Sequence, residues 1–392
     1  MPAEAVRGDV NPERKRSGLK SLRRFFKLLL EEGLDPRRAA AAVFLGVFIA
    51  VVPVYGFQSL IALGLAALFR LNKPLTFGST FVNNPLLQPF LIIMSLALGH
   101  PILTGKAWSI PEGGITGQML REQLTSWVVG SVILGLILGC LAAAVAFLLV
   151  RHRTRERAKR RAASRFINSH FRTSPAFPRG FVRWKIRLDR IYDLLLAEEL
   201  GRGDAVDLGC GYGMTLALAA FQDPGRRLIG CDLDSGRIEV AGRALRPLHA
   251  EVKVHDVRSF EFPAPGVIMI LDVLQYLEPG EQRDLLERCC ASLLPGGRLI
   301  FRVHDRKRGV AARLSLALDK VIFRWGGCSG SPQVLDHEAY ERVLADAGMK
   351  VRSRRFINRL PLAHILFIAD KPGAGQAASV TGGNGAQAPA TP

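Results

Sequence analysis

Residues 205–220 read AVDLGCGYGMTLALAA: an apolar run ending in an acid, three glycines at alternate positions, then small helix-forming residues. The acid is Asp207, the glycines are Gly209, Gly211 and Gly213, and Cys210 stands between the first two. Glycines placed after a strand let backbone approach a ligand that a β-carbon would block. Charge decides which ligand. A turn of the form G-x-G-x-x-G cradles a pyrophosphate on a helix N-terminus, whereas a carboxylate just ahead of the glycines opposes phosphate and suits a cationic amino-acid ligand. A second acid, Asp232, closes the next apolar run, RRLIGCD, with Leu233 behind it. That is about 20 residues on, the interval at which a carboxylate accepts from both hydroxyls of a ribose. Asp256 ends EVKVHD and precedes Val257, a place from which it can receive an adenine amino hydrogen.

These residues need strand ends to hold them. Between 203 and 370 short apolar runs alternate with amphipathic segments: AVDL, RRLIGCD then SGRIEVAGRAL, EVKVH, GVIMILD then EQRDLLERCCASLL, and GRLIFRV. That rhythm predicts a parallel sheet with helices on both faces, which puts ligands at the carboxyl ends of the strands. The fourth run leads into Asp272, Gln275 and Tyr276, and the fifth into His304 and Asp305.

In order and spacing these motifs resemble the class I S-adenosylmethionine-dependent methyltransferases, over residues 181–370; a nicotinamide oxidoreductase is the alternative reading of the glycine turn. The resemblance implies an α/β fold, a Rossmann-like seven-stranded sheet with KVRSRRF and AHILFIAD as closing strands and the seventh antiparallel. It also implies that Gly209, Gly211 and Gly213 wrap the methionine part of S-adenosylmethionine with Asp207 near its ammonium group. Asp232 would then bind the ribose, Asp256 with Val257 the adenine, and Asp272 and Gln275 would face the methyl-transfer region; Cys210 and Leu233 count among the cofactor-binding residues by their neighbours. A narrower likeness, carried by RWKIRLDRIYDLLL, LDVLQYLEPGEQRDLLERCCASLLPGG and RLPLAHILFIADKP, is to methyltransferases that accompany aryl-polyene and related lipid-assembly genes; Gln275 stands where those have a frequent histidine.

Methyl transfer is an in-line displacement for which the protein mainly supplies alignment. A base is needed only when the acceptor is a protonated hydroxyl or amine. Asp272, Gln275, Tyr276, His304 and Asp305 are the candidate catalytic residues. Each has a plainer reading: Tyr276 as core packing, His304 and Asp305 as the opening of a solvated loop. His337 reads as a helix start.

Ahead of this domain the chain is of another kind. Hydrophobic residues make up 48% of the whole and concentrate between Ala39 and Val150. Residues 127–150 hold no charge and exceed the roughly 20 residues a helix needs to cross a bilayer, and RHRTRERAKRR follows at once. Residues 39–69 are equally uncharged but broken by Pro53 and Gly56, which predicts a kinked span or a re-entrant hairpin. A further apolar run, about 81–103, predicts another span. Asn83, Asn84 and Gln88 beside it suit either a polar site at membrane depth or the capping of a broken helix. GVFIAVVPVYGFQ and LFRLNKPLTFGSTFVNNPLLQPF resemble a bacterial membrane family known as domain of unknown function 2062, through Pro53, Gly56, Gln58, Asn72, Pro74, Asn84 and Pro85; the likeness implies no chemistry.

The net charge of +19 raises the question of nucleic acid. Its placement answers it: the Lys and Arg crowd beside the apolar runs, as RKRSGLKSLRRFFK before them and as fourteen between Arg151 and Arg190 against two acids. Juxtamembrane clusters of that kind belong on the cytoplasmic side, so no nucleic-acid partner is expected and the lipid bilayer is. Six cysteines show neither metal-ligand spacing nor a secreted framework, and no cleavable leader is evident. The expected organisation is a basic cytoplasmic segment at 1–38, an all-α membrane domain at 39–150, a basic linker at 151–182 that is helical at first and then irregular around TSPAFPRG, a methyltransferase domain at 183–370 and a disordered tail at 371–392. The segment RKRGVAARLSLALDKVIFRWGG reads as an amphipathic helix that packs on the sheet or lies on the membrane. Together these readings predict a multi-pass protein of the bacterial inner membrane that methylates a hydrophobic, lipid-linked or polyene-type acceptor, with envelope or lipid assembly proteins as possible partners. A transport or scaffold module with a non-catalytic cofactor domain is the alternative.

Overall fold

The computed structural model describes residues 34–54, 56–109, 123–305, 333–358 and 363–373. The basic segment before residue 34, the amphipathic helix read over 306–327 and the tail beyond residue 373 lie outside the described residues. The chain divides into two compact units, Met1–Arg157 and Ala158–Pro392.

The first unit is helical. Asp35 caps helix α1 (Pro36–Val51) by accepting from the amides of Arg37 and Arg38. The helix stops at Pro53, and the chain turns at Gly56, whose φ of 87° a β-carbon would resist, before α2 (Gln58–Leu68). The break expected inside 39–69 is therefore present. Asn72 caps α3 (Lys73–Ser79), accepting from Leu75 N at 2.9 Å. The side-chain oxygen of Asn84 accepts from Leu86 N and Leu87 N at 3.0 and 3.1 Å, so Asn84 has the capping role of the two that its sequence allowed. The run 81–103 is not one helix: a 3-10 turn at Thr80–Val82 and this Asn-Pro turn precede α4 (Gln88–Thr104), whose 17 residues span only about 25 Å. Among the described residues one helix is long and apolar enough to cross a membrane, α5 (Leu124–His170), judged by length and composition.

Cohesion in this unit comes from small residues that let helices touch. A β-carbon on Gly99 would stand 1.9 Å from Ser126 O, and one on Gly130 would stand 1.7 Å from Ser95 O, so α4 and α5 meet backbone to backbone. Gly135 and Gly139 of α5 accept the rings of Phe48 and Phe44 from α1 in the same way. An apolar cluster of Ala42, Val43, Val47, Leu75, Ala146 and Val150 packs beside these contacts. Many other large apolar side chains point outward: Leu60, Leu68, Phe81, Phe90, Leu141 and Leu148 are all exposed.

The second unit is built on a sheet in the order β3-β2-β1-β4-β5-β7-β6. Strands β1 (Ala205–Leu208), β2 (Leu228–Asp232), β3 (Glu251–Val254), β4 (Val267–Leu271) and β5 (Arg298–His304) run parallel. β7 (Ala363–Asp370) lies antiparallel between β5 and the edge strand β6 (Lys350–Ile357). All seven fall on the runs that the sequence marks as strands. Alternation then builds two cores: Ala205, Val267, Met269 and Ile300 face one layer, and Val206, Ile268, Ile270 and Phe301 face the other.

Residues 151–170 continue α5 without a break, the helical start expected of the segment 151–182. The irregular stretch expected around TSPAFPRG is instead largely helix α6 (Ala176–Leu188). Pro178 falls in the first turn of α6, where its missing N–H costs no hydrogen bond, so a stretch rich in loop formers still makes a helix. Ile167 and Phe171, at the end of α5 and just beyond it, join Val182, Ile186 and residues of α7 (Ile191–Ala197) in the core of the second unit.

Gly130→Leu is expected to cost at least about 3 kcal/mol of stability in the first unit, because the added side chain has no space. Gly64→Leu, with nothing within 4 Å of its β-carbon, is expected to be tolerated. Size-exclusion and thermal unfolding of the full-length protein in detergent separate the two outcomes.

Candidate cofactor-binding and active site

The carboxyl ends of β1, β2, β4 and β5 carry the charged residues that the sequence singled out. Gly209, Gly211 and Gly213 all have positive φ, at 79°, 54° and 79°, so the loop leaving β1 winds in the left-handed region that glycine tolerates. Two of them are also pinned by neighbours: a β-carbon on Gly209 would stand 2.1 Å from Val273 Cγ2, and one on Gly213 would stand 2.4 Å from Leu245 Cδ1. Gly211 is different. The nearest atom to a β-carbon there is Asp232 Oδ2 at 3.9 Å, which leaves open space against the loop where a ligand can lie. Helix α8 (Met214–Gln222) starts immediately after it.

Asp207 is buried, and its Oδ2 has no hydrogen-bond partner. Burial first, and then the negative charge of Asp232, push its carboxyl up to about 7. A buried carboxylate oxygen left open beside a glycine cradle is half of an ion pair awaiting a cation. Asp232, half-buried at the end of β2, accepts from Gly211 N at 2.9 Å through one oxygen and from Asp234 N at 3.0 Å through the other. It thus fixes the glycine loop as well as facing the cleft. Leu233 beside it is exposed and Val257 is buried. Cys210 is buried, which raises its thiol well above the usual range and leaves it a packing residue.

Asp256 is already engaged. Arg258 donates to both of its oxygens, Nε at 3.0 and 2.9 Å, and reaches on to Glu281 at 2.9 Å. The hydrogen bonds from Arg258 hold the Asp256 carboxyl below its ordinary value.

Asp272 requires a correction to its reading as a base. It sits just past β4 with φ of 61°, and Arg302 grips both of its oxygens, Nε at 2.7 Å from Oδ1 and Nη2 on Oδ2, while Lys185 Nζ stands 3.4 Å from Oδ2. Burial opposes its charge, but the cations Arg302 and Lys185 outweigh it and hold the carboxyl well below the usual carboxylate range. An anion so stabilised takes up no proton near neutrality. The other end of the Arg302 guanidinium is held by both oxygens of Asp189 at 2.8 Å. Gln275 is buried in the 3-10 turn Leu274–Tyr276, its Oε1 without a hydrogen-bond partner, and Tyr276 is exposed beside it; Tyr276 is therefore not the core residue of its plainer reading.

His304 and Asp305 are buried too, which removes the reading of them as the opening of a solvated loop. The ring of His304 lies 4.6 Å from that of His364 on β7, and Asp305 faces Arg355 at 3.8 Å. Burial, then the charges of Arg302 and His304, press His364 down to about 3, so it is neutral at physiological pH. His337 opens helix α11 (His337–Asp346), counting Ser235–Leu245 as α9 and Pro279–Ser292 as α10, as its sequence context predicts. Lys185, Asp189, Arg302 and His364 were missed from sequence. One of them left a mark: an arginine inside LIFRV is a charge in the middle of a buried strand, which demands a partner.

A seven-stranded sheet with one antiparallel strand, a glycine cradle after β1, an unpartnered buried acid on that strand and further acids at the strand ends defines a Rossmann-like cofactor-binding class. Comparison with known proteins agrees. Residues 205–297 match the model of a methyltransferase domain, and residues 19–159 match a family of uncharacterized proteins conserved in bacteria, domain of unknown function 2062. The chain is 32% identical over 110 residues to a tRNA N(3)-methylcytidine methyltransferase of Drosophila melanogaster, covering 26% of this chain and 34% of that protein. It is 32% identical over 154 residues to a trans-aconitate 2-methyltransferase of Methylobacterium radiotolerans, covering 38% and 58%. With the carboxy-S-adenosyl-L-methionine synthase of Aliivibrio fischeri it shares 30% identity over 174 residues, covering 41% of this chain and 71% of that one. The chain thus spans less than two thirds of the first two relatives. The magnesium protoporphyrin IX methyltransferase of Synechocystis, solved with bound S-adenosylhomocysteine, aligns with a TM-score of 0.36 at 18% identity, over 53% of this chain and 99% of that one. Through its C-terminal unit the chain belongs to the class I S-adenosylmethionine-dependent methyltransferases, and S-adenosylmethionine is the cofactor of that class. The residues present suit it: the unpartnered Asp207 oxygen meets the need of an ammonium group, and the space over Gly211 admits a ligand.

Two measurements follow. Because the Asp207 carboxyl is raised from 3.8 to about 7, its ionised form destabilises the ligand-free fold, and stability should fall as pH rises between about 4 and 7. A ligand ammonium group favours that ionised form, so S-adenosylhomocysteine, through its α-ammonium, should bind more weakly as pH falls through 7 and should release a proton on binding near pH 6, read by calorimetry in buffers of different ionisation enthalpy. Asp207→Asn should flatten both profiles. Arg302→Met, which strands two carboxylates, should cost about 3–5 kcal/mol, with Asp189→Asn in the same chain recovering part of it in thermal unfolding of the full-length protein.

Proposed function

We propose that this protein is a membrane-anchored methyltransferase that transfers the methyl group of S-adenosylmethionine to a lipid, lipid-linked or polyene-type acceptor at the cytoplasmic face of the bacterial inner membrane. One observation carries the reading: the apolar helix α5 runs without interruption into the unit that holds the cofactor cleft, where Ile167 and Phe171 are buried in its core. Anchor and enzyme share a structural element, which gives a membrane-resident acceptor a high effective concentration. The outward apolar side chains of the first unit and the basic stretch from Arg151 onward support the same placement.

Bound S-adenosylmethionine supplies an electrophilic methyl group on a sulfonium centre. The chain supplies position. Asp232 holds the glycine loop through Gly211 N and offers carboxylate oxygens to ribose hydroxyls. Asp207 gives the amino-acid end its counter-charge. Val257 flanks the adenine side and Leu233 stands beside Asp232, and Gln275 Oε1, buried and without a hydrogen-bond partner, is an acceptor for a group brought to the reaction region. Asp272 stays ionised on Arg302 and Lys185 and orients the turn that carries Gln275. The names of the relatives point to RNA, a small acid and a cofactor-modifying reaction, so they do not select an acceptor; the lipid class rests on the anchor.

Membranes carrying the full-length protein, given S-adenosylmethionine labelled in its methyl group, should yield label in the lipid-soluble fraction. Asp232→Ala should weaken cofactor binding about 100-fold, through lost charge-assisted hydrogen bonds, and abolish labelling at ordinary cofactor concentration. Label confined to water-soluble acceptors would refute the lipid reading. Cofactor binding without any methylated product would favour the scaffold alternative.

A further inference from the structure

Helix α6 serves two surroundings at once. Its inner face buries Pro178, Val182 and Ile186. On the flank of that face Phe181 meets the ring of Tyr212 in the glycine loop at 5.6 Å, and Lys185 stands 3.4 Å from Asp272. The helix is thus a wall of the cofactor cleft. Its outer face carries Phe177 and Trp184, at 73% and 52% exposure, together with exposed Arg179, Arg183 and Arg187.

Water alone does not explain that face. A solvated helix face mixes charges of both signs, whereas residues 158–188 contain nine Lys and Arg and neither Asp nor Glu. Aromatic side chains interleaved with arginine on one side of an amphipathic helix are what lies in a bilayer interface: the rings enter the boundary between headgroups and acyl chains, and the guanidinium groups meet anionic phosphates. RNA would attract the same arginines. The choice falls on lipid because α6 follows closely, in the same chain, on α5, among the described residues the one helix long and apolar enough to cross a membrane.

Building on the membrane-anchored reading above, we propose that the outer face of α6 seats the methyltransferase unit on an anionic leaflet. Phe177 and Trp184 sit in the headgroup boundary, Arg179, Arg183 and Arg187 sit on lipid phosphates, and the acceptor enters the cleft along a helix whose other face forms its wall.

The test uses the full-length protein reconstituted in phosphatidylcholine vesicles with or without phosphatidylglycerol. The emission of Trp184 is obtained as the difference between the native protein and Trp184→Phe. With phosphatidylglycerol present, that emission should be quenched by lipids brominated near the headgroup and shielded from aqueous acrylamide. The double variant Arg179→Glu with Arg183→Glu should reduce the lipid quenching at least about tenfold, since each basic residue near an anionic surface contributes about 1 kcal/mol. S-adenosylhomocysteine binding verifies that each variant is folded. If the protein floats with the vesicles while Trp184 stays open to acrylamide, the α6 surface is refuted and the anchor stands. If it does not float, both fall. Shielding of Trp184 by added tRNA, with no quenching by brominated lipid, would overturn the proposal in favour of an RNA surface.

Discussion

A guanidinium buried in the middle of a sheet governs the geometry of the cleft. Arg302 is 2% exposed, and a charge that deep is tolerated only when it is paired on every side. Asp189 satisfies it from the junction of α6 and α7, and Asp272 from the end of β4. Three segments far apart in sequence are therefore held in one register by a single side chain. The left-handed backbone of Asp272 persists because this pairing over-determines it. The same arrangement sorts the carboxylates of the cleft. Asp272 is fixed as an anion, while Asp207, with no cation of its own in contact, is poised near neutrality.

The two units cohere by different physics. In the second, apolar area removed from water holds two layers to a sheet. In the first, glycines let helix backbones touch around a small apolar cluster, and many large apolar side chains are turned outward. A protein that kept both units in water would have to hide Phe90, Leu141 and their neighbours; one that keeps the first in lipid has no such need.

Much of this was legible in one dimension. The inner strands β1, β2, β4 and β7 announce themselves as short apolar runs because they are buried almost throughout, while the edge strands β3 and β6 are partly exposed and carry charges. The glycine loop is legible because its conformation allows few other residues, and Asn84 and Asp35 because capping is a local transaction between a side chain and amides two or three residues on. What was hidden is non-local. Nothing near Asp189 or Lys185 in the sequence says that they meet Arg302 and Asp272 across more than 80 residues. Likewise, Asp256 reads as an open acceptor until Arg258, two residues away, folds back on it. The helix over TSPAFPRG was masked by residues that usually mark loops, and burial of Val182 and Ile186 overrode their preference.

Strand β7 has a consequence for how the molecule is made. It is the last strand among the described residues, yet it is buried almost throughout and stands between β5 and β6. The sheet cannot close until residue 370 has left the ribosome, by which time α5 has been outside for some 200 residues of synthesis. The long apolar helix is thus complete before the enzyme is. During that interval β5 waits with one open edge, in need of protection from other partners.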